Sequence, residues 1–188
     1  MTDAILGIDP ATHGLGFALV HLTAEPIVAD YIPLDGEGAF ERQIMRACER
    51  LPLDGIDVRC IVVEKVGGGR GVQSMLRVEA AGSACAGILI SRFRDATLFR
   101  PTPAAWRNAA GLKGNANKDA LRAAAAFYAP DLITDDARTD AAEALLMAYS
   151  EARTLNRAIG QEIDALRSDL RASEDAPKGA APSQMRLP

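Results

Sequence analysis

The sequence predicts an α/β fold in which helices flank a mixed central sheet. Three apolar runs, at residues 4–9, 16–22 and 26–34, are separated by short turn-like segments, which is the pattern of an antiparallel meander. A fourth apolar run, at residues 58–64, follows a helical segment. We therefore expect it to be a strand covered on both faces and parallel to its neighbour. The alternation of strands and helices then gives the layered α/β arrangement.

The helices between and after these strands follow from apolar spacing and from capping residues. Apolar side chains recur at three- and four-residue steps over residues 40–51, which predicts an amphipathic helix. Residues 72–93 read as a long helix rich in small side chains, which suits either close packing on the protein's own sheet or self-association.

The second half of the chain is predicted to be mainly helical. A short strand at residues 96–99 precedes a helical turn at 103–109 and an alanine-rich helix at 118–128. Thr139 is a candidate N-cap for a helix through Glu151. A separate last helix then carries an apolar stripe made of Leu155, Ile159, Ile163, Leu166 and Leu170.

Length and composition favour one globular domain with a tail. The chain has 188 residues, of which 48% are apolar and 24% charged, close to globular averages. We expect the domain to span residues 1–172. Residues 173–188 are poor in apolar side chains, so we expect them to be disordered. Neither a signal peptide nor a membrane-spanning run is apparent, so we expect a soluble intracellular protein. The three cysteines are predicted to be reduced core residues, since no C-x-x-C spacing occurs.

Charge is distributed unevenly along the chain, whose net charge is -4. Residues 92–122 hold seven basic and two acidic side chains, a local balance of +5. Residues 131–175 hold eleven acidic and five basic ones, a balance of -6. These segments are either solvated faces of an ordinary domain or a polyanion-binding stretch beside a carboxylate-rich catalytic region.

Four acidic residues occupy positions where α/β folds commonly form ligand-binding or catalytic sites. Asp9 and Glu64 close two predicted neighbouring strands, and ligands bind outside the carboxyl ends of strands in open α/β sheets. Asp140 and Glu143 are three residues apart and share one face of a predicted helix. Each acid alone also fits a turn or capping role, but Glu143 is set among apolar residues that look buried.

Four converging carboxylates would repel one another and raise one another's pKa values unless a cation balanced them. Oxygen ligands without histidine or cysteine select Mg²⁺ or Mn²⁺ over zinc. Two such ions stabilise both the attacking and the leaving oxygen of a phosphoryl displacement. The pattern therefore predicts metal-dependent phosphodiester hydrolysis.

Four stretches resemble the RuvC-type Holliday-junction resolvases of the RNase H-like nuclease superfamily: ILGIDPATHGLGFALV, IVVEKV, KGNANKDALRAA and TDAAEALLMA, in that order. The resemblance spans residues 5–152 and implies the RNase H-like fold. It places the family's metal-binding acids on Asp9, Glu64, Asp140 and Glu143. It further implies a magnesium-dependent homodimer that cuts opposing strands of a four-way DNA junction, leaving 5'-phosphate nicks, in the cytoplasm of a bacterium or a phage-infected host.

The resemblance also implies that basic residues near the third motif contact DNA, which Arg107, Lys113 and Lys118 match in position. The chain departs from the family pattern at Ala11, where a glycine is usual, and at Glu143, where aspartate is usual. The loop after Glu64 is GGGRG and lacks the usual aromatic residue, so Arg70 is the candidate there to stack on a base or bind phosphate.

Three other functions fit parts of the sequence. Asp9 also fits the phosphate loop of the actin and sugar-kinase superfamily, but that class needs two such domains, and GGGRG lacks the ending of a Walker loop. A non-catalytic junction-binding protein would not need all four acids. An RNase H-like nuclease acting on flaps, other branched DNA, ordinary duplex or RNA-DNA hybrids is the nearest alternative. Trp106 is interpreted as a packing anchor rather than a base-stacking platform.

Overall fold

The computed structural model describes residues 1–34, 39–65, 71–134 and 138–174. A five-stranded sheet lies at its centre. The strands are β1 (Thr2–Pro10), β2 (Gly14–His21), β3 (Pro26–Pro33), β4 (Ile56–Val63) and β5 (Thr97–Phe99). The helices within the described ranges are α1 (Phe40–Glu49), α2 (Val72–Arg92), α3 (Pro103–Ala109), α4 (Lys118–Tyr128) and α5 (Thr139–Glu174).

The strands are ordered β3-β2-β1-β4-β5 in a mixed sheet. The first three form the predicted antiparallel meander, with β2 paired antiparallel to both neighbours. The crossover through α1 makes β4 parallel to β1, and β5 is parallel to β4. The predicted α/β class with a mixed sheet flanked by helices is confirmed.

The two faces of the sheet are covered by different helices. Successive side chains of a strand point to opposite faces, so Leu6 and Ile8 join the core cluster that includes α1 and α2. Ile5 and Val62 join the other cluster, which includes residues of α3, α4 and α5. On the first face, the small residues of α2 at Ala81 and Gly82 are buried, so part of this helix packs on the protein's own sheet.

Helix α5 lies against two glycines of the sheet. A Cβ atom added at Gly16 would collide with the backbone of Asp140, and one added at Gly7 would collide with the carbonyl of Ala144. Any larger residue at either position would therefore force the helix away from the sheet. These two glycines set the height of the first turns of α5 above β1 and β2.

Two predictions about α5 are wrong. The structure has one helix over Thr139–Glu174 where two were expected, because neither proline nor glycine lies between Glu151 and Leu155 to end the helix there. Thr139 is the first helical residue rather than the N-cap, since the carbonyl of Arg138 already accepts hydrogen bonds from Ala141 and Ala142.

The chain forms two compact units, Met1–Leu155 and the part that begins at Asn156. The second unit carries three exposed residues of the predicted apolar stripe, Ile159, Ile163 and Leu166. The side chain of Leu170 and residues 175–188 are outside the described part of the chain, so the predicted single domain and disordered tail remain predictions.

All three cysteines are free and buried, as expected for reduced core residues. Burial raises the pKa of the Cys60 thiol to about 12. In the described ranges, none of the helices has the length and apolar character that crossing a membrane requires.

Candidate active site

Asp9 and Glu64 are adjacent at the carboxyl ends of two parallel strands. Ile8 of β1 is in register with Val63 of β4, and the backbone N–H of Glu64 donates to the carbonyl of Ile8 at 3.1 Å. Strand periodicity turns both carboxylates toward the face covered by α3 and α5, because Ile5 and Val62 share that face. Asp9 lies one residue inside β1, which ends at Pro10.

Helix α5 brings two more carboxylates to Asp9. Asp140 is in its first turn, and Glu143 follows one turn later on the same side. One oxygen of each of Asp9, Asp140 and Glu143 lies within 4.8 Å of the others, which is close enough for a shared metal ion. The expected burial of the apolar residues around Glu143 is confirmed, since Ala144 and Leu145 are fully buried, and Glu143 itself is 8% exposed.

Glu64 is beside this group of three but is not part of it. It is 7% exposed, and its negative charge helps to raise the pKa of Asp9. The structure thus brings three of the four predicted acids together and places the fourth next to Asp9.

The electrostatics of the site favour a bound cation. Burial, and then the charges of Glu143 and Glu64, raise the pKa of Asp9 well above its ordinary value. Burial also raises the pKa of Glu64. Oδ1 of Asp9 is buried and has no hydrogen-bond partner among the residues described. A divalent ion held by carboxylate oxygens would balance this excess of negative charge, so the donor set fits Mg²⁺ or Mn²⁺.

Arg107 of α3 forms an ion pair with one of the acids. Its Nη2 atom is 3.1 Å from Oε1 of Glu143, and its Nη1 atom donates to the carbonyl of Gly114 at 3.3 Å. The two side chains of the ion pair are only 18% and 11% exposed. Arg107 therefore balances part of the charge on Glu143.

The other predicted DNA contacts differ in their setting. Lys113 and Lys118 are exposed to solvent, Lys118 as the first residue of α4. Asn117 caps this helix, since its side chain accepts a hydrogen bond from the backbone N–H of Ala120 at 2.9 Å. Arg70 lies outside the described residues.

Sequence reasoning missed a contact made by Trp106. The prediction that it is a packing anchor agrees with its 2% exposure. In addition, its indole Nε1–H donates to Oε1 of Glu64 at 2.9 Å. The only sequence signal is the local one that places the residue in α3: Thr102 caps the helix and Pro103 occupies its first turn.

The fold and the acids define a class: an α/β protein with a carboxylate cluster at the carboxyl ends of its central strands. No protein-family model matches the chain, and neither does any curated protein. Solved structures do match. "T. thermophilus RuvC in complex with Holliday junction substrate" superposes with a TM-score of 0.62 at 18% identity, covering 79% of this chain and 92% of that chain.

A second structure, "Thermus thermophilus RuvC structure", gives a TM-score of 0.59 at 19% identity, covering 82% of this chain and 96% of that chain. The particular fold is therefore that of RuvC, and the fold that the resemblance implied is confirmed. At these identities the likeness establishes the fold alone, so activity and substrate have to be argued from the site.

Proposed function

We propose that the protein is a metal-dependent, structure-selective endodeoxyribonuclease that resolves four-way DNA junctions, as a RuvC-type resolvase. The reaction is paired phosphodiester hydrolysis that leaves 5'-phosphate nicks. The observation that carries the proposal is the approach of Asp9, Asp140 and Glu143 to within 4.8 Å beside Glu64, at the ligand-binding edge of a RuvC fold.

In this proposal the four acids hold the metal, which is Mg²⁺ with Mn²⁺ as a substitute, at two ions per site. When bound, such ions supply Lewis-acid stabilisation of the phosphodiester and a water nucleophile at neutral pH. The protein's own part is to keep the carboxylates converged in a buried setting, where Asp9 is 3% and Glu64 7% exposed. Burial strengthens the attraction between the carboxylates and a cation, because the local dielectric constant is low.

The proposed DNA contacts are Arg107, Lys113 and Lys118, with Arg70 in the loop after Glu64. The basic segment of residues 92–122 contains α3. Trp106 and Arg107 of this helix contact Glu64 and Glu143, so the basic segment adjoins the acidic site. Cation side chains of this kind bind phosphates without reading sequence.

Paired cuts on opposing strands require two active sites, so we also propose a homodimer. The exposed residues of α2, among them Val72 and Leu76, offer apolar surface for such an interface. Light scattering at micromolar concentration measures the state directly, and a monomer would contradict paired cleavage.

The test of substrate class compares Mg²⁺-dependent cleavage of four labelled substrates of matched sequence: a four-way junction, a flap, a plain duplex and an RNA-DNA hybrid. Junction resolution predicts preferred cutting of the junction at symmetric positions. Preferred cutting of the flap or the hybrid would instead support the alternative of a related RNase H-like nuclease. Absence of any metal-dependent cleavage would rule out both.

Asp140→Asn tests the role of the acids. The amide preserves the shape of the side chain but removes the charge that the metal needs. We expect junction affinity to change little, while the cleavage rate falls about 100-fold or more, which corresponds to about 3 kcal/mol of lost transition-state stabilisation. Gel-shift binding in Ca²⁺ and single-turnover cleavage in Mg²⁺ measure the two quantities. A normal rate in the variant would refute the assignment.

A further inference from the structure

Trp106 is both a core residue and a hydrogen-bond donor to the acidic site. It is the single tryptophan of the chain, and it is 2% exposed within the core cluster that includes Leu121 and Ala125. Its polar atom nevertheless reaches the acidic site, where Nε1–H donates to Oε1 of Glu64 at 2.9 Å. Helix α3 thereby contacts the carboxylate that directly follows β4.

A packing role does not require this acceptor. A buried indole N–H needs some hydrogen-bond partner, and a backbone carbonyl serves that need in many cores. Here the partner is a carboxylate at a strand end, next to Asp9. A hydrogen bond to an ionised acceptor is stronger than one between neutral groups, and it restricts a side chain that otherwise has three rotatable bonds.

The segment that carries Trp106 is fixed at several points. The backbone N–H of Lys65, directly after Glu64, donates to the carbonyl of Pro101 at 2.9 Å. The side chain of Thr102 accepts from the N–H of Ala105 and caps α3. One residue after Trp106, Arg107 binds Glu143 and the carbonyl of Gly114. The indole is therefore held in place relative to the strand end that bears Glu64.

We propose that Trp106 is a positioning residue for the metal site: its indole N–H fixes Oε1 of Glu64, so that the remaining oxygen of this carboxylate stays directed to the cation. The inference rests on the proposed metal-dependent function and adds a residue that touches neither metal nor DNA. Groups that orient a metal ligand in this way typically change metal affinity 10- to 100-fold when they are removed.

The experiment uses the fact that the chain has one tryptophan. Expression in a tryptophan auxotroph supplied with β-(3-benzothienyl)alanine replaces residue 106 alone, exchanging the N–H for sulfur at nearly constant shape. Trp106→Phe is the genetic counterpart. Binding of Mn²⁺ to the full chain without DNA is measured by electron paramagnetic resonance of the free ion. We expect affinity to fall about tenfold or more in both proteins.

Leu121→Ala is the matched control, because Leu121 belongs to the same core cluster but contacts none of the acids in the contacts described. Its loss should lower the melting temperature and leave Mn²⁺ affinity within about twofold of wild type. If Leu121→Ala weakened Mn²⁺ binding as much as the benzothienyl replacement did, the effect would be one of packing and the proposal would be overturned.

A second readout follows the hydrogen bond itself. The indole ¹⁵N–¹H resonance, of which there is one, should move upfield in Glu64→Gln at pH 8, because an amide oxygen is a weaker acceptor than a carboxylate. An unchanged resonance would overturn the proposal.

The two proposals fail differently. If the benzothienyl protein bound Mn²⁺ like wild type and cut junctions normally, positioning by Trp106 would be refuted and the nuclease would stand. If wild type itself bound no Mn²⁺, the metal-dependent function would be refuted together with the role of Trp106.

Discussion

Asp9 holds a carboxyl group in surroundings that oppose its ionisation. Burial and the neighbouring acids raise its pKa in the folded protein, whereas an unfolded aspartate titrates near about 3.9. A carboxyl whose folded pKa is raised contributes stability below the unfolded pKa and loses it as the pH rises through the folded value. Burial shifts the pKa of Glu64 in the same direction. The metal-free protein should therefore become less stable as the pH rises above about 4, through the raised pKa values.

The variant Asp9→Asn tests whether stability falls as the pH rises because of this carboxyl group. In EDTA at pH 8 the variant should be more stable than wild type, because the negative charge of a buried carboxyl group, whose pKa is raised in the folded state, has been removed. The difference should shrink toward pH 4, and added Mg²⁺ should stabilise wild type only. Urea unfolding across this pH range measures the effect.

Asp119→Asn serves as a control, since its side chain is 85% exposed and pairs with Arg122 of the same helix, α4. It should follow the wild-type pH dependence. A wild-type stability that increased from pH 5 to pH 8 in EDTA would contradict the assignment of the pKa shifts to uncompensated burial.

At the scale of elements, the site depends on how closely α5 approaches the sheet. Asp9 of β1 is paired with Gly16 of β2, and the missing side chain at Gly16 leaves room for the backbone of Asp140. Gly7 leaves room for the next turn of α5 in the same way, since a Cβ atom added at Gly7 would lie 3.1 Å from the Cβ of Ala148. The side chains of Asp140 and Glu143 reach Asp9 because the backbone of α5 lies close to the sheet at these two glycines.

Gly16→Ala is expected to displace the first turn of α5. The added methyl group meets backbone atoms that cannot rotate away, so we expect a loss of about 1–3 kcal/mol in stability. A displacement near 1 Å in the acids should reduce junction cleavage about 100-fold. Thermal unfolding and single-turnover cleavage provide the two measurements.

Gly160→Ala is the matched substitution within α5. No atom of the described residues lies within 4 Å of a Cβ atom added there, and alanine favours a helix over glycine by up to about 1 kcal/mol. This variant should keep its activity and its stability or gain stability. Wild-type cleavage by Gly16→Ala would show that the close approach of α5 is not needed for the site.

For the whole molecule, the relevant quantity is the distribution of charge rather than its sum. The net charge is -4, yet the segment of residues 92–122 carries +5. Binding to DNA through this segment should release counterions, so affinity for a four-way junction should fall steeply with salt. Log affinity plotted against log salt concentration has a negative slope, and each phosphate contact makes that slope steeper by about 0.9.

The double variant Lys113→Gln and Lys118→Gln should make that slope shallower by about 2, which is about 1 for each cation removed. Arg59→Gln is the control, because Arg59 pairs with Asp3 and Asp57 near the start of β4, at the other end of the strand from Glu64. It should leave the slope unchanged. Fluorescence anisotropy with a labelled junction in Ca²⁺, titrated from 50 to 300 mM salt, gives the slopes. A flat dependence for wild type would argue against DNA as the ligand.

The sequence alone determined the features that depend on neighbours along the chain. Continuous apolar runs placed Asp9 and Glu64 at strand ends, and helical spacing put Asp140 and Glu143 on one face. The break expected between Glu151 and Leu155 was wrong, because neither proline nor glycine lies between them and the helix continues to Glu174.

Only the tertiary structure decided which distant groups meet. It placed Glu64 beside the three clustered acids rather than among them, and it directed the indole of Trp106 to Glu64 and the guanidinium of Arg107 to Glu143. Strand and helix periodicity fixes the direction of a side chain within its own element. A hydrogen bond between residues 42 positions apart depends on the packing distance between elements, which no local pattern encodes.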